Sequence, residues 1–182
     1  MAGKKTVWND RTGLNLPKKI KEEADRRLRA VADWAVRNQV RHAWPKWNAN
    51  NGRFPYHVYL PVEDWFLSTC WNTSRTVQGL VSAWLVTGVP AYRETAENAL
   101  SYVKTLQVFA PEHADIRGSF REETPQGGHL ANRDGVEAVQ AFLAYHAAVP
   151  DPVILDRAQA FLDYLVAFRR EKADWRGTLF LA

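Results

Sequence analysis

Apolar positions along this chain recur at the spacing of a helix. Leu28, Val31, Ala32, Ala35 and Val36 share one helical face, and Val77, Leu80, Val81, Trp84 and Leu85 repeat the same steps. This is the i, i+3, i+4, i+7 pattern of an amphipathic helix. The periodicity predicts helices over about residues 17–41, 73–87, 91–109, 134–147 and 152–170. No segment sustains the apolar–polar alternation of a strand. The predicted fold class is all-α.

The helices repeat. Laying the segment from Trp71 on the segment from Arg133 at a constant offset of 62 residues places Val77 on Val139 and Gln78 on Gln140. The same offset places Leu80 on Phe142, Trp84 on His146, Ala96 on Ala158 and Tyr102 on Tyr164. Each copy reads helix, short Pro-bearing turn, helix; the turns are TGVPAY (87–92) and VPDP (149–152). Residues 25–39 match the second helix of a pair when Trp34 is laid on Tyr102 and Gln39 on Gln107. Gly-x-Phe or a near relative follows each such second helix: Gly52-Arg53-Phe54, Gly118-Ser119-Phe120 and, more loosely, Gly177-Thr178-Leu179-Phe180. The expected architecture is a tandem array of helical hairpins, forming a single domain over residues 1–182. Short turns join helices within a pair, and connections of about 25–30 residues separate the pairs. Loops of that length are uncommon in compact domains unless functional. Emerging at one end, they would form a rim on which ligand contacts cluster.

Composition narrows the function classes. The 182 residues suit one domain with a real core. Eight Trp, eight Phe and six Tyr either thicken a helical core or line a cleft where flat ligands stack. The net charge is +4, and much of the basic charge in the first 29 residues is interleaved with Glu22, Glu23 and Asp25. That is the pattern of a solvated helix face, so no nucleic-acid partner is expected. The single cysteine, Cys70, excludes an internal disulfide and reads as a buried spectator. No apolar signal core opens the chain and no stretch approaches the roughly 18 apolar residues of a membrane span. The expectation is a cytoplasmic protein without a membrane partner. His42, His57, His113 and His146 lack metal-ligand spacing, so neither a metal nor another cofactor is expected.

The stretch from Trp71 to Tyr92, with TGVPAY at its turn, resembles the TGD-x-x-Y turn between inner and outer helices of the six-hairpin glycosidase superfamily. The stretch SFREETPQGGHLANRDGVEAVQAFLAYH (119–146) adds to the likeness, because an acidic loop followed by Arg-Asp at the start of an inner helix recurs in these proteins. The resemblance covers residues 20–182. It implies an (α/α)6 toroid of the kind found in unsaturated glucuronyl hydrolases, other glycoside hydrolases and, more distantly, N-acylglucosamine 2-epimerases. A ring of six hairpins needs more chain than this, so the sequence corresponds to about its N-terminal half. Unsaturated glucuronyl hydrolases carry Asp at the start of two successive inner helices; here Asp134 fits one such position and Asn72 stands at the other.

Glycoside cleavage needs one carboxyl to protonate the leaving oxygen and a second group to activate water or attack. The candidates are Asp134, with Glu137 on the same helix and Glu122 and Glu123 in the preceding loop. Asp134-Gly-Val-Glu137 also reads as a capping box, and the helix dipole and Arg133 would hold the Asp134 pKa down, suiting a base. Gln126, His129 and Arg133 are candidate sugar contacts, as are Trp71, Asn72 and Arg75 on the other inner helix. The planar fork of Arg75 suits a sugar carboxylate, and an ion pair with a neighbouring helix is its plainer reading. Trp47 stands with Trp44, Trp65, Asn48, Asn50, Asn51 and Arg53 in the first long loop. Rings and amides of this kind build a sugar cleft or pin a loop onto helices.

The function expected first is a glycoside hydrolase acting on an oligosaccharide, uronic-acid-containing substrates included, with carbohydrate as partner and a second copy completing the ring. A sugar 2-epimerase is the alternative on the same fold, although neither inner-helix start offers the histidine that reaction uses. The third reading is a non-catalytic helical-repeat surface.

Overall fold

The computed structural model of the chain describes residues 16–41, 50–62, 64–172 and 178–180. It is mostly helical, as the periodicity predicts. Its helices are α1 (Lys18–Asn38), α2 (Cys70–Thr87), α3 (Pro90–Thr105), α4 (Asn132–Ala148) and α5 (Pro152–Lys172). We refer to α2 and α4 as leading helices and to α1, α3 and α5 as trailing helices. Each leading helix packs on the trailing helix that follows it, α2 and α4 pack side by side, and α1 lies against both α2 and α3. The core runs through these contacts and includes Val77, Leu80, Val103, Phe142 and Phe161.

Local chemistry sets the element ends. Gly88 closes α2 in the left-handed conformation (φ 70°), its N–H reaching the Trp84 carbonyl at 2.7 Å. Only a residue without Cβ takes that conformation freely. Pro90 then opens α3 at a position where a missing N–H costs nothing. Two residues on, the buried Tyr92 donates its hydroxyl to Asp33 at 2.7 Å, tying α3 to α1. In the second turn the Asp151 carboxylate accepts the Val153 N–H at 3.0 Å. The charged face of α1 closes on itself through Lys18–Glu22, Arg26–Glu23, Arg27–Glu23 and Arg29–Asp25 pairs, which is the solvated helix its charge pattern predicts.

The repeat is visible in individual hydrogen bonds. The buried Gln39 amide donates to the Gly52 and Thr95 carbonyls at 3.2 and 2.9 Å. Its counterpart Gln107 donates to the Gly118 and Arg157 carbonyls at 3.1 and 2.8 Å. Gly52 and Gly118 both have strongly positive φ, 89° and 93°, and both lie directly on the next trailing helix. A Cβ on Gly52 would sit 2.5 Å from the Asn98 carbonyl oxygen, and one on Gly118 2.1 Å from that of Ala160. Asn98 and Ala160 are themselves 62 residues apart. Gly-x-Phe is therefore a fastening: the glycine lets the loop touch helix backbone, and Phe54 or Phe120 enters the core.

Two short ribbons depart from the sequence expectation. β1 (Pro55–Tyr59) pairs antiparallel with β2 (Asp64–Leu67), and β3 (His129–Ala131) with β4 (Thr178–Phe180). Strands of three to five residues are too short to sustain alternation, and the β3–β4 partners lie far apart in sequence, where periodicity carries no information. The helix limits also shift. α3 stops at Thr105 because Gln107 leaves the helix to bridge to Phe120, and α2 and α4 start a few residues earlier than predicted, at Cys70 and Asn132.

Candidate functional site

Backbone pairing gathers the first turns of α2 and α4. The Glu122 N–H bonds the His129 carbonyl at 3.0 Å, and the Glu122 carbonyl accepts the Cys70 N–H at 2.7 Å. One loop residue thus joins β3 to the first turn of α2, while β3 runs straight into α4. This places Glu122, His129, Arg133, Asp134, Trp71 and Cys70 in one neighbourhood.

Asp134 lies in the first turn of α4 and is fully buried. Neither of its carboxylate oxygens has a hydrogen-bond partner among the described residues. The nearest cation is Arg133, whose Nη2 stands 3.6 Å from Oδ1. Burial raises the Asp134 pKa from 3.8 to about 6; Arg133 and His129 pull against it and Glu122 adds to it. A carboxylate buried without donors loses hydration that nothing replaces, so the neutral form is favoured.

Comparison with Asn72, the same position one repeat earlier, shows why Asp134 is bare. Asn72 Oδ1 accepts from the Thr69 N–H at 3.4 Å and from the Thr69 hydroxyl at 2.9 Å, so it completes a capping box at the start of α2. The counterpart of Thr69 is Ala131, which has no hydroxyl to offer. This corrects two expectations. No capping box forms from Asp134 and Glu137, because α4 starts two residues before Asp134 with Ala131 as its N-cap and no side-chain cap bond. And the Asp134 pKa is raised rather than lowered, because burial outweighs Arg133.

Glu137 faces α2 instead of reaching back along α4. Arg75 binds its Oε1 at 2.7 and 3.0 Å, and the Gln78 amide approaches Oε2 at 3.5 Å. Arg75 and Glu137 are repeat equivalents, so the pair links the same level of two neighbouring leading helices. Arg75 therefore takes its plainer role as an inter-helix ion pair.

Trp71 is half-buried, and two guanidinium groups lie over its ring, Arg133 at 4.7 Å and Arg75 at 5.2 Å from the centroid. The Tyr56 ring meets it edge-on at 6.1 Å. The ring thus serves as a platform for the two cations. Arg133 also stands 3.9 Å from Glu122, whose carboxylate takes a hydrogen bond from His129 Nδ1.

The remaining predicted residues fall further out. Glu123 is exposed, and its contact with the core is through its carbonyl, which accepts the Tyr102 hydroxyl at 2.8 Å. Gln126 is exposed in the turn that follows. Trp47, with Trp44 and Asn48, lies outside the described residues. The described residues hold no group of three or more His, Cys, Asp or Glu able to bind a metal. Sequence reasoning missed Tyr56, which nothing short of the β1–β2 pairing could place beside Trp71. The reading of Cys70 as a buried spectator agrees with its place in the core. Its buried thiol stands 3.7 Å from the Asp134 carbonyl, and burial, reinforced by the Asp134 charge, pushes its pKa well up. That keeps the thiol neutral and no nucleophile. No family model, curated protein or solved structure matches the chain.

Proposed function

We propose that this chain is a carbohydrate-active domain, one arc of an (α/α)6 toroid, that hydrolyses a glycosidic bond with Asp134 as the proton donor. The observation that carries the reading is the Asp134 carboxyl, buried at the start of a leading helix with no hydrogen-bond partner among the described residues and a pKa raised to about 6. An acid catalyst must carry its proton at the working pH and release it in the transition state; a pKa of about 6 keeps this carboxyl protonated well above the ordinary carboxylate range, into mildly acidic conditions. Glu122 is the second carboxylate, sharing Arg133 with Asp134 and held by His129. The exposed guanidinium of Arg133 covers the approach, and its displacement by an incoming sugar, with a carboxylate on that sugar as the favoured case, would uncover Asp134. A different polypeptide would complete the ring.

A second reading is favoured by one observation: Asp134 is sealed from solvent here. On that reading the cluster is a recognition surface, with Arg75 and Arg133 contacting an anionic glycan and no bond broken. Turnover of a panel of aryl glycosides and unsaturated uronides, measured for the chain and for Asp134→Asn, separates the two. Hydrolysis lost in the variant supports catalysis. Unchanged turnover removes Asp134 from the mechanism, and saturable glycan binding without turnover selects the recognition surface.

A further inference from the structure

At the opposite side of α2 from α4, the array ends in an open slot. It is an apolar groove of about 300 Å³ between α1 and α2, lined by Val31, Ala32, Ala35, Thr76 and Gly79 with Arg75 at its end. The repeat shows what such a slot holds. At the offset that superposes Gln39 on Gln107, Val31, Ala32 and Ala35 correspond to Ala99, Leu100 and Val103 of α3, and Trp34 to Tyr102. At 62 residues, Thr76 and Gly79 correspond to Ala138 and Ala141 of α4. All six counterparts are buried. The slot between α3 and α4 is occupied by α2, which packs on both more extensively than any other pair of helices packs. In the open slot Ala32 and Ala35 form a buried floor, whereas Val31 is 69 % and Trp34 42 % exposed.

Gly79 supplies an independent sign. It sits mid-helix on an exposed position, at a cost of about 1 kcal/mol relative to alanine. A Cβ there would meet nothing within 4 Å. Among the described residues no contact calls for a glycine, whereas a second helix crossing at close range does.

We infer that the α1–α2 groove is the seat of one further α-helix, contributed by polypeptide outside these 182 residues. It lies parallel to α2 with small apolar side chains over Gly79 and Thr76 and an acidic side chain opposite Arg75. The acid follows from the pairing rule across leading helices. Arg75 meets Glu137 at the equivalent position one repeat on, and its exposed side chain also borders the slot. A second copy of this chain does not fit. Its free leading helix α4 carries α5, and since α5 is equivalent to α1, seating α4 in the slot would drive α5 into α1. The inference concerns this face and holds whatever reaction Asp134 performs.

The test uses the full chain and a helix-constrained peptide of residues 70–87, the segment that fills the equivalent slot, carrying Cys70→Ser and Arg75→Glu. Saturable binding is expected, severalfold weaker for the peptide that retains Arg75. Gly79→Trp in the protein fills the groove and should reduce binding at least tenfold, with circular dichroism and melting temperature showing an intact fold. No binding of a peptide that is helical in solution, or equal binding to Gly79→Trp, overturns the proposal. So does a homodimer in light scattering that Gly79→Trp dissociates, since the groove would then serve self-association.

Discussion

Replacing Asp134 with asparagine should shift relative stability towards the variant as pH rises through the range between the two pKa values, by an amount that the structure sets. In the unfolded chain this carboxyl titrates near 3.8, and in the folded chain burial raises it to about 6. The folded state therefore binds the proton more tightly. Its advantage is complete below pH 3.8 and is lost as pH rises to about 6, beyond which the charged carboxylate is a fixed penalty. At about 1.4 kcal/mol for each pH unit of difference, that penalty is on the order of 3 kcal/mol. Asparagine does not titrate. Its own buried amide adds an offset that is the same at every pH, so the informative quantity is how the stability difference between the two proteins changes with pH. Urea unfolding of both at intervals from pH 4 to pH 8 should show the variant gaining on the natural protein by about 2–3 kcal/mol between pH 4 and pH 6.5, then levelling. A difference that stays flat across this range, or that moves in favour of Asp134 as pH rises, would refute the claim that burial outweighs Arg133 at this carboxyl. The sign matters for function too. A residue whose removal stabilises the fold is retained for something other than folding.

Other outcomes test the repeat and the site contacts. Gly118→Ala forces a Cβ to 2.1 Å from the Ala160 carbonyl oxygen at a φ of 93° and should cost about 3 kcal/mol or more. Gly88→Ala, at φ 70° with nothing within 4 Å, should cost only about 1–2 kcal/mol, and near-equal urea midpoints for the two would contradict the fastening role. Gln107→Ala strands the Gly118 and Arg157 carbonyls and should lower stability by about 1–3 kcal/mol, with Gln39→Ala behaving alike. Arg75→Ala removes an ion pair from a side chain that is 61 % exposed, so thermal melting should register under about 1 kcal/mol.

The sequence by itself determined the helices and their register, because both rest on side-chain periodicity, which is local. The spacing of Leu28, Val31 and Ala35, the Gly88 and Pro90 punctuation, and the offset of 62 could all be read without coordinates, and the hydrogen bonds of Gln39 and Gln107 follow that register. The Gly-x-Phe recurrence was legible as a pattern, although its purpose was not, since the close approach to Asn98 and Ala160 exists only between segments distant in the chain.

The candidate site lies on the other side of that divide. Asp134 stood out in sequence, yet the capping box inferred from Asp134 and Glu137 used only local spacing, and the chain placed the helix start two residues earlier and Glu137 against Arg75. Only the tertiary structure decided that Asp134 is buried with Arg133 as its ion-pair neighbour and no hydrogen-bond donor among the described residues, that Trp71 lies beneath two arginines, and that Glu123 and Gln126 are exposed. Burial, and with it the direction of a pKa shift, is a property of what packs around a residue. Adjacent letters fix where a helix turns, but packing between distant segments fixes which of its side chains water can reach.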